Sequence, residues 1–197
     1  MRAEVMGIVN VTPDSFSDGG KYYSAKEAVR RAMNMIGEGA GIIDIGGEST
    51  RPDAEPIGWK EEWARVEPVL NGLKGRTGGV KISIDTYHPE TAARAVASGA
   101  SIINCVYSAP VGDMLRIIDE NPGTELVLPA EAWKEGGSLV AYRDRVYIDP
   151  MIGFGTDREE DMLRLQSIGA LAREARVLVG VSRKRIVKKL TGEKVTG

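Results

Sequence analysis

The 197 residues include only one cysteine and one histidine, and this scarcity closes off several kinds of chemistry. Cys105 has no partner for an internal disulfide and no metal-ligand company, so a reducing, cytoplasmic setting is expected. His88 precedes Pro89 at the start of a helical pattern, which reads as a solvated cap, not a general base. Neither sign of charge is in excess. The 26 Lys and Arg against 28 Asp and Glu leave a net charge of −2, so neither nucleic acid nor a membrane surface is expected as a partner. No apolar run comes near the roughly 18 residues of a membrane span. The opening Met-Arg-Ala-Glu passes straight into a strand-like segment, so no targeting segment is expected.

What the chain does have is apolar content, at 42%, and 24 glycines placed mostly where a strand or helix should stop. That is enough to build one sizeable core, and a single domain over residues 1–197 is expected. Short β-branched runs predict strands at Val5–Asn10, Ile42–Gly46, Lys81–Asp85, Ile102–Asn104, Leu126–Leu128, Val146–Asp149 and Val177–Val181. They are too apolar to have one wet face, which suits a parallel sheet covered on both sides. Between them lie helical patterns. Ser24-Ala-Lys-Glu27 and Thr156-Asp-Arg-Glu159 read as capping boxes. Further helices fit Lys60–Leu73, Pro89–Ala97, Asp113–Asn121 and Lys184–Leu190, and Trp59 and Trp63 lie at helical spacing, as packing residues do.

Nearly every strand ends in a group that hydrogen-bonds or ionises: Asn10, Asp44 with Glu48, Asp85, Asn104, Asp149, and Ser182-Arg183-Lys184. An open doubly wound sheet gathers its site at one switch point, from a few strands. A closed barrel brings all strand ends to one rim. Polar ends on so many strands favour an α/β barrel of the TIM (β/α)8 type. A full barrel usually needs about 250 residues, so about seven βα units with the last strand missing are expected.

Three segments carry more polar and glycine character than strand ends require. They are Asn10-Val-Thr-Pro-Asp-Ser-Phe-Ser-Asp-Gly-Gly20, Gly46-Gly-Glu-Ser-Thr-Arg-Pro52 and Asp149-Pro-Met-Ile-Gly-Phe-Gly155. They resemble the two substrate loops and the pterin-binding segment of the dihydropteroate synthases. Lys81-Ile-Ser-Ile-Asp-Thr86, Ile102-Ile-Asn104 and Val179-Gly-Val-Ser-Arg-Lys184 match further motifs in the family's order, so the resemblance runs from about Val5 to Lys184.

The resemblance implies a transferase of folate biosynthesis. It would join 6-hydroxymethyl-7,8-dihydropterin pyrophosphate to p-aminobenzoate, or a related arylamine, releasing pyrophosphate. It implies a pterin site of Asp85, Asn104, Asp149, Phe154 and Lys184. Phe16, Asp18, Thr50, Arg51, Pro52 and Ser182 would meet the aminobenzoate. Asn10 would meet Mg²⁺ at the pyrophosphate end, and Asp85, Asp149, Lys184 and Arg51 would carry the catalytic work. A homodimer is implied in the same way. The residue types suit the ligand: a pterin presents an edge of N–H donors beside a carbonyl, which carboxylates and an asparagine can satisfy.

The chain also departs from the family pattern. Cys105 stands where an aspartate is usual, Met151 where a glycine is, Thr156 where a lysine is, and Pro129-Ala130 where Met-His is. The span from Asn104 to Asp149 leaves little room for a full fifth helix. The final strand with its Arg-x-His pair does not follow Thr196-Gly197, so pterin binding with poor turnover is expected of the chain as written. Besides the synthase, two readings stay open: a pterin-binding module without synthase activity, and a pterin-dependent methyltransferase domain, for which the two aminobenzoate loops would have no use.

Overall fold

A computed structural model describes residues 3–12, 21–49, 55–106, 110–135, 137–182, 184, 186 and 190. The chain forms two compact units, Met1–Leu126 and Val127–Gly197.

The first unit alternates strands and helices: β1 (Met6–Asn10), α1 (Lys21–Gly37), β2 (Ile42–Gly46), α2 (Trp59–Leu73), β3 (Lys81–Asp85), α3 (Pro89–Ala97), β4 (Ile102–Asn104) and α4 (Val111–Glu120). Strand β5 (Glu125–Pro129) begins here and continues into the second unit. β1 to β4 pair in parallel and in chain order. Side chains alternate across a strand, so the register decides what each face presents. Asn10, Gly46, Asp85 and Asn104 are successive partners, and thus form one rung at the strands' carboxyl ends. Two residues back, on the same face, run Ile8, Asp44, Ser83 and Ile102. The other face carries Val9, Ile45, Ile84 and Ile103, all fully buried. Helices α1 to α3 supply small or branched residues to the core, including Ala28, Ala32, Val66, Val69, Ala92 and Ala95. Close packing of this kind leaves no room for a side chain at Gly47, where a Cβ would lie 2.8 Å from Val66 Cγ1 of α2.

The second unit holds the rest of β5, a short α5 (Ala130–Glu135), a 3-10 turn (Gly137–Tyr142), β6 (Val146–Asp149), α6 (Arg158–Glu174) and β7 (Arg176–Val177). β6 and β7 are parallel, with Tyr147 opposite Arg176 and Ile148 opposite Val177. Leu128, Ile148 and Ile152 are the largest fully buried side chains of this unit.

Four sequence expectations need correction. Ser24 lies inside α1, which starts at Lys21, so it is not a cap. In α6 the cap is Asp157, whose carboxylate accepts from Glu159 N and Glu160 N, both at 2.9 Å. An aspartate one residue closer to the helix outcompetes the threonine for the free N–H groups. Thr156 instead donates to Asp161 Oδ1 at 2.6 Å. β7 stops at Val177, not Val181: Leu178 N still donates to Ile148 O, at 3.0 Å, but Pro150 has no N–H to carry the ladder on. His88 caps α3 with its backbone, yet its ring is not solvated, being only 18% exposed and set against Glu48 and Tyr87. The short α5 agrees with the limited span between Asn104 and Asp149. The helix expected over Lys184–Leu190 falls mostly outside the described residues.

Candidate functional site

The first unit offers a polar surface at the ends of β1 to β4. Asn10 is exposed, Asp85 keeps part of its surface open, and Asp44 and Asn104 are buried. Asn104 Nδ2 donates to Asp44 Oδ2 at 3.1 Å. Asp44 Oδ1 and Asn104 Oδ1 are buried without a hydrogen-bond partner among the described residues. Such orphan acceptors are rare in folded proteins and mark places where a donor from elsewhere fits. Gly46 leaves a gap in the rung: a Cβ there would stand 3.4 Å from Asp85 Oδ2 and 3.5 Å from Asn10 Oδ1.

This surface is rich in carboxyls. Burial raises the Asp44 carboxyl above its ordinary range, with Ser83 and Asn104 pulling the other way. Asp85 is pushed well above the usual carboxylate range, first by loss of water and then by the charges of Asp44, Glu62 and Glu48. Glu62, on α2, is fully buried and also raised, chiefly by burial. Its Oε2 accepts from Thr86 Oγ1 at 2.7 Å. Sequence reading missed Glu62, although a glutamate four and seven residues before the core positions Val66 and Val69 lies on the buried stripe of α2.

Cys105 follows Asn104 and is buried, and burial followed by the charges of Asp85 and Glu62 pushes its thiol up to about 12. Only the thiolate is nucleophilic. We therefore expect alkylation of Cys105 at pH 8 to run roughly 1,000-fold slower in the folded protein than in urea, the ratio that the lost thiolate implies. Comparable labelling rates in the two states would contradict the burial.

The second unit carries the other residues that sequence reading singled out. Asp149 Oδ1 accepts from Met151 N at 2.7 Å, which holds Met151 in the left-handed region at φ 59°. Burial raises the Asp149 carboxyl, against the Met151 hydrogen bond and the Lys184 charge. Lys184 donates to Ile152 O, and its Nζ lies 4.3 Å from the centre of the Phe154 ring. Burial lowers its ammonium, with Asp149 and Asp161 opposing. Gly153 is needed twice over: its φ is +72°, and a Cβ would meet Lys184 Cδ at 2.9 Å. Asp161 Oδ1 accepts from both Gly153 N and Thr156 Oγ1, at 2.6 Å each. Arg164, also missed from sequence, donates to Pro150 O and Met151 O at 3.1 and 2.8 Å. Ser182 is exposed on a turn. Phe16, Asp18, Thr50, Arg51 and Pro52 lie outside the described residues.

Parallel strands alternating with helices, with polar residues at the strands' carboxyl ends, define an α/β fold of the TIM-barrel type, seven of whose strands fall among the described residues. The chain belongs to the pterin-binding enzyme family, whose model matches residues 6–135 and 137–196. It is 36% identical to the dihydropteroate synthase of Staphylococcus haemolyticus, over 99% of this chain and 80% of that protein. Among solved structures, the Xanthomonas albilineans dihydropteroate synthase with 4-aminobenzoic acid is similar at a TM-score of 0.85 and 36% identity, covering 98% of this chain and 78% of that one. The Anaplasma phagocytophilum dihydropteroate synthase with bound 6-hydroxymethylpterin-monophosphate is similar at 0.80 and 30% identity, covering 98% and 83%.

Proposed function

We propose that this chain is a dihydropteroate synthase-type transferase that joins 6-hydroxymethyl-7,8-dihydropterin pyrophosphate to p-aminobenzoate. The observation that carries the reading is the rung of Asn10, Gly46, Asp85 and Asn104, with unfilled buried acceptors on Asp44 and Asn104 beside it. A pterin ring offers N–H donors of the kind these acceptors lack.

In the proposed reaction the bond between the pterin's methylene carbon and the pyrophosphate oxygen breaks, and the arylamine nitrogen bonds to that carbon and loses a proton. Charge leaves with the pyrophosphate, so the protein's task is to hold the ring, exclude water and receive the anion. Asp85, Asn104 and Asp149 take hydrogen bonds from the pterin, and Lys184 and Phe154 flank it. Arg51, Thr50, Pro52, Phe16, Asp18 and Ser182 serve the arylamine. For Mg²⁺ the residues fit: Asn10 Oδ1 is a hard oxygen beside the Gly46 gap, and Mg²⁺ commonly takes one or two protein oxygens together with substrate phosphates. Mg²⁺ would neutralise the departing pyrophosphate. A cytoplasmic location and a homodimer belong to the same proposal. Among the described residues no helix is long and apolar enough to cross a membrane.

The test is pyrophosphate release with the pterin pyrophosphate, p-aminobenzoate and Mg²⁺, together with calorimetric binding of 6-hydroxymethylpterin. Arylamine-dependent release is expected. Binding without release would reduce the chain to a pterin-binding module, and the absence of both would end the proposal.

A further inference from the structure

Glu48 is the third residue of the Gly46-Gly-Glu-Ser-Thr motif, and its carboxylate faces other residues of the first unit. Oε1 accepts from Tyr87 Oη at 2.7 Å and from Ile57 N at 3.2 Å. Oε2 lies 3.3 Å from His88 Nε2. The same nitrogen is 3.0 Å from Ile57 O. A carbonyl only accepts, so Nε2 carries a proton and donates it to Ile57 O. Ile57 is thus gripped at both its N–H and its C=O, by two side chains that also face each other. Neighbouring residues back the grip. The rings of Tyr87 and His88 lie against each other, with centroids 4.2 Å apart. His88 N donates to Thr86 Oγ1 at 3.0 Å, and that hydroxyl is tied to Glu62. Arg65 Nη1 holds Gly47 O at 2.9 Å.

Sequence connectivity gives this cluster its meaning. Glu48 stands where the chain leaves β2 and Ile57 where it returns toward α2, nine positions on. Thr50, Arg51 and Pro52 lie between them. Tyr87 and His88 follow Asp85 directly. We propose that Glu48 and His88 are positioning residues for the arylamine step: together they clamp Ile57 and so set the point from which the chain enters α2, beside the strand end that carries Asp85. The proposal rests on the synthase reading above for its kinetic consequence, but not for its structural one.

The test compares H88A, H88N, H88Q and E48A in the full chain. Glutamine can place an N–H donor near the position of Nε2, whereas asparagine falls short of it. H88A and H88N should raise the KM for p-aminobenzoate about tenfold or more, as expected for losing a buried hydrogen bond set against a charged partner. Their kcat and their affinity for 6-hydroxymethylpterin should stay at the wild-type values, and H88Q should restore most of the KM. E48A with H88A should cost no more than E48A alone, because the two act as one unit. Amide exchange at Ile57 supplies a readout independent of turnover, and should quicken about tenfold in H88A and recover in H88Q. Unchanged exchange at Ile57 in H88A and H88N overturns the clamp, even if the wild-type chain fails to couple an arylamine. A KM, kcat and pterin affinity that worsen together would show general damage instead of positioning, and would equally overturn it. Failure of the wild type to release pyrophosphate sinks the synthase reading while the exchange result still judges the clamp.

Discussion

Replacing Asp85 with asparagine should raise the melting temperature of the ligand-free protein while lowering turnover at least about 100-fold. The two effects have one origin. Asp85 sits beside Asp44 with Glu62 and Glu48 close by, and loss of water together with their charges pushes its carboxyl well above the ordinary range. Keeping such a group ionised works against the fold. The sign follows from linkage. Below the ordinary carboxylate value both the folded and the unfolded chain hold the proton, and the stabilising contribution is complete. As the pH climbs toward the raised folded value, the unfolded chain releases its proton first, and stability is lost. Asp44, Glu62 and Asp149 are raised too and act in the same direction. The ligand-free protein should therefore melt at lower temperature as pH rises through that window, and D85N should flatten the slope. For a chain of this size each 1 kcal/mol regained is worth roughly 2–4 °C. Activity would fall because the asparagine turns one acceptor into a donor where the proposed pterin site needs an acceptor, and a mismatched buried pair is costly. A D85N protein that melts at or below the wild-type temperature across the window would show that the carboxyl is not strained.

Asp149→Ala should reduce affinity for 6-hydroxymethylpterin by well over tenfold, since the loss of charge-assisted buried hydrogen bonds costs about 2–5 kcal/mol. Alanine alone would leave the reason open. Asp149 Oδ1 already supports Met151 N, and Met151 sits in the left-handed region, so D149A disturbs the segment as well as the ligand. D149N separates the two. It keeps an oxygen for Met151 N but replaces the second acceptor with an N–H₂ donor. We expect D149N to melt near the wild-type temperature and to bind the pterin almost as poorly as D149A. Titration calorimetry with both variants decides it: affinity in D149N within a few-fold of wild type would remove Asp149 from the pterin site.

Much of this was legible in the sequence, for a physical reason. The bounds of β2, β3, β4 and β6 coincide with the apolar runs, because each run stops at a glycine or at an ionising or amide side chain. What stayed hidden depends on contacts between segments far apart in the chain. The rung needs the register of four strands, which no single strand carries. The grip on Ile57 joins residues separated by 9 and 31 positions. The start of α1 and the cap of α6 were misread for a local reason, since several residues in each stretch could cap and only the backbone decides between them.

The alternation across β1 to β4 also bears on how the chain reaches its structure. Slipping β2 or β3 by a single residue would exchange its polar positions for the apolar row of Ile45 or Ile84, and would drive Asp44 or Asp85 beneath the helices. Carboxylates stranded there without partners would cost several kcal/mol. These carboxylates would thus penalise mispaired sheets during folding, before such sheets could consolidate.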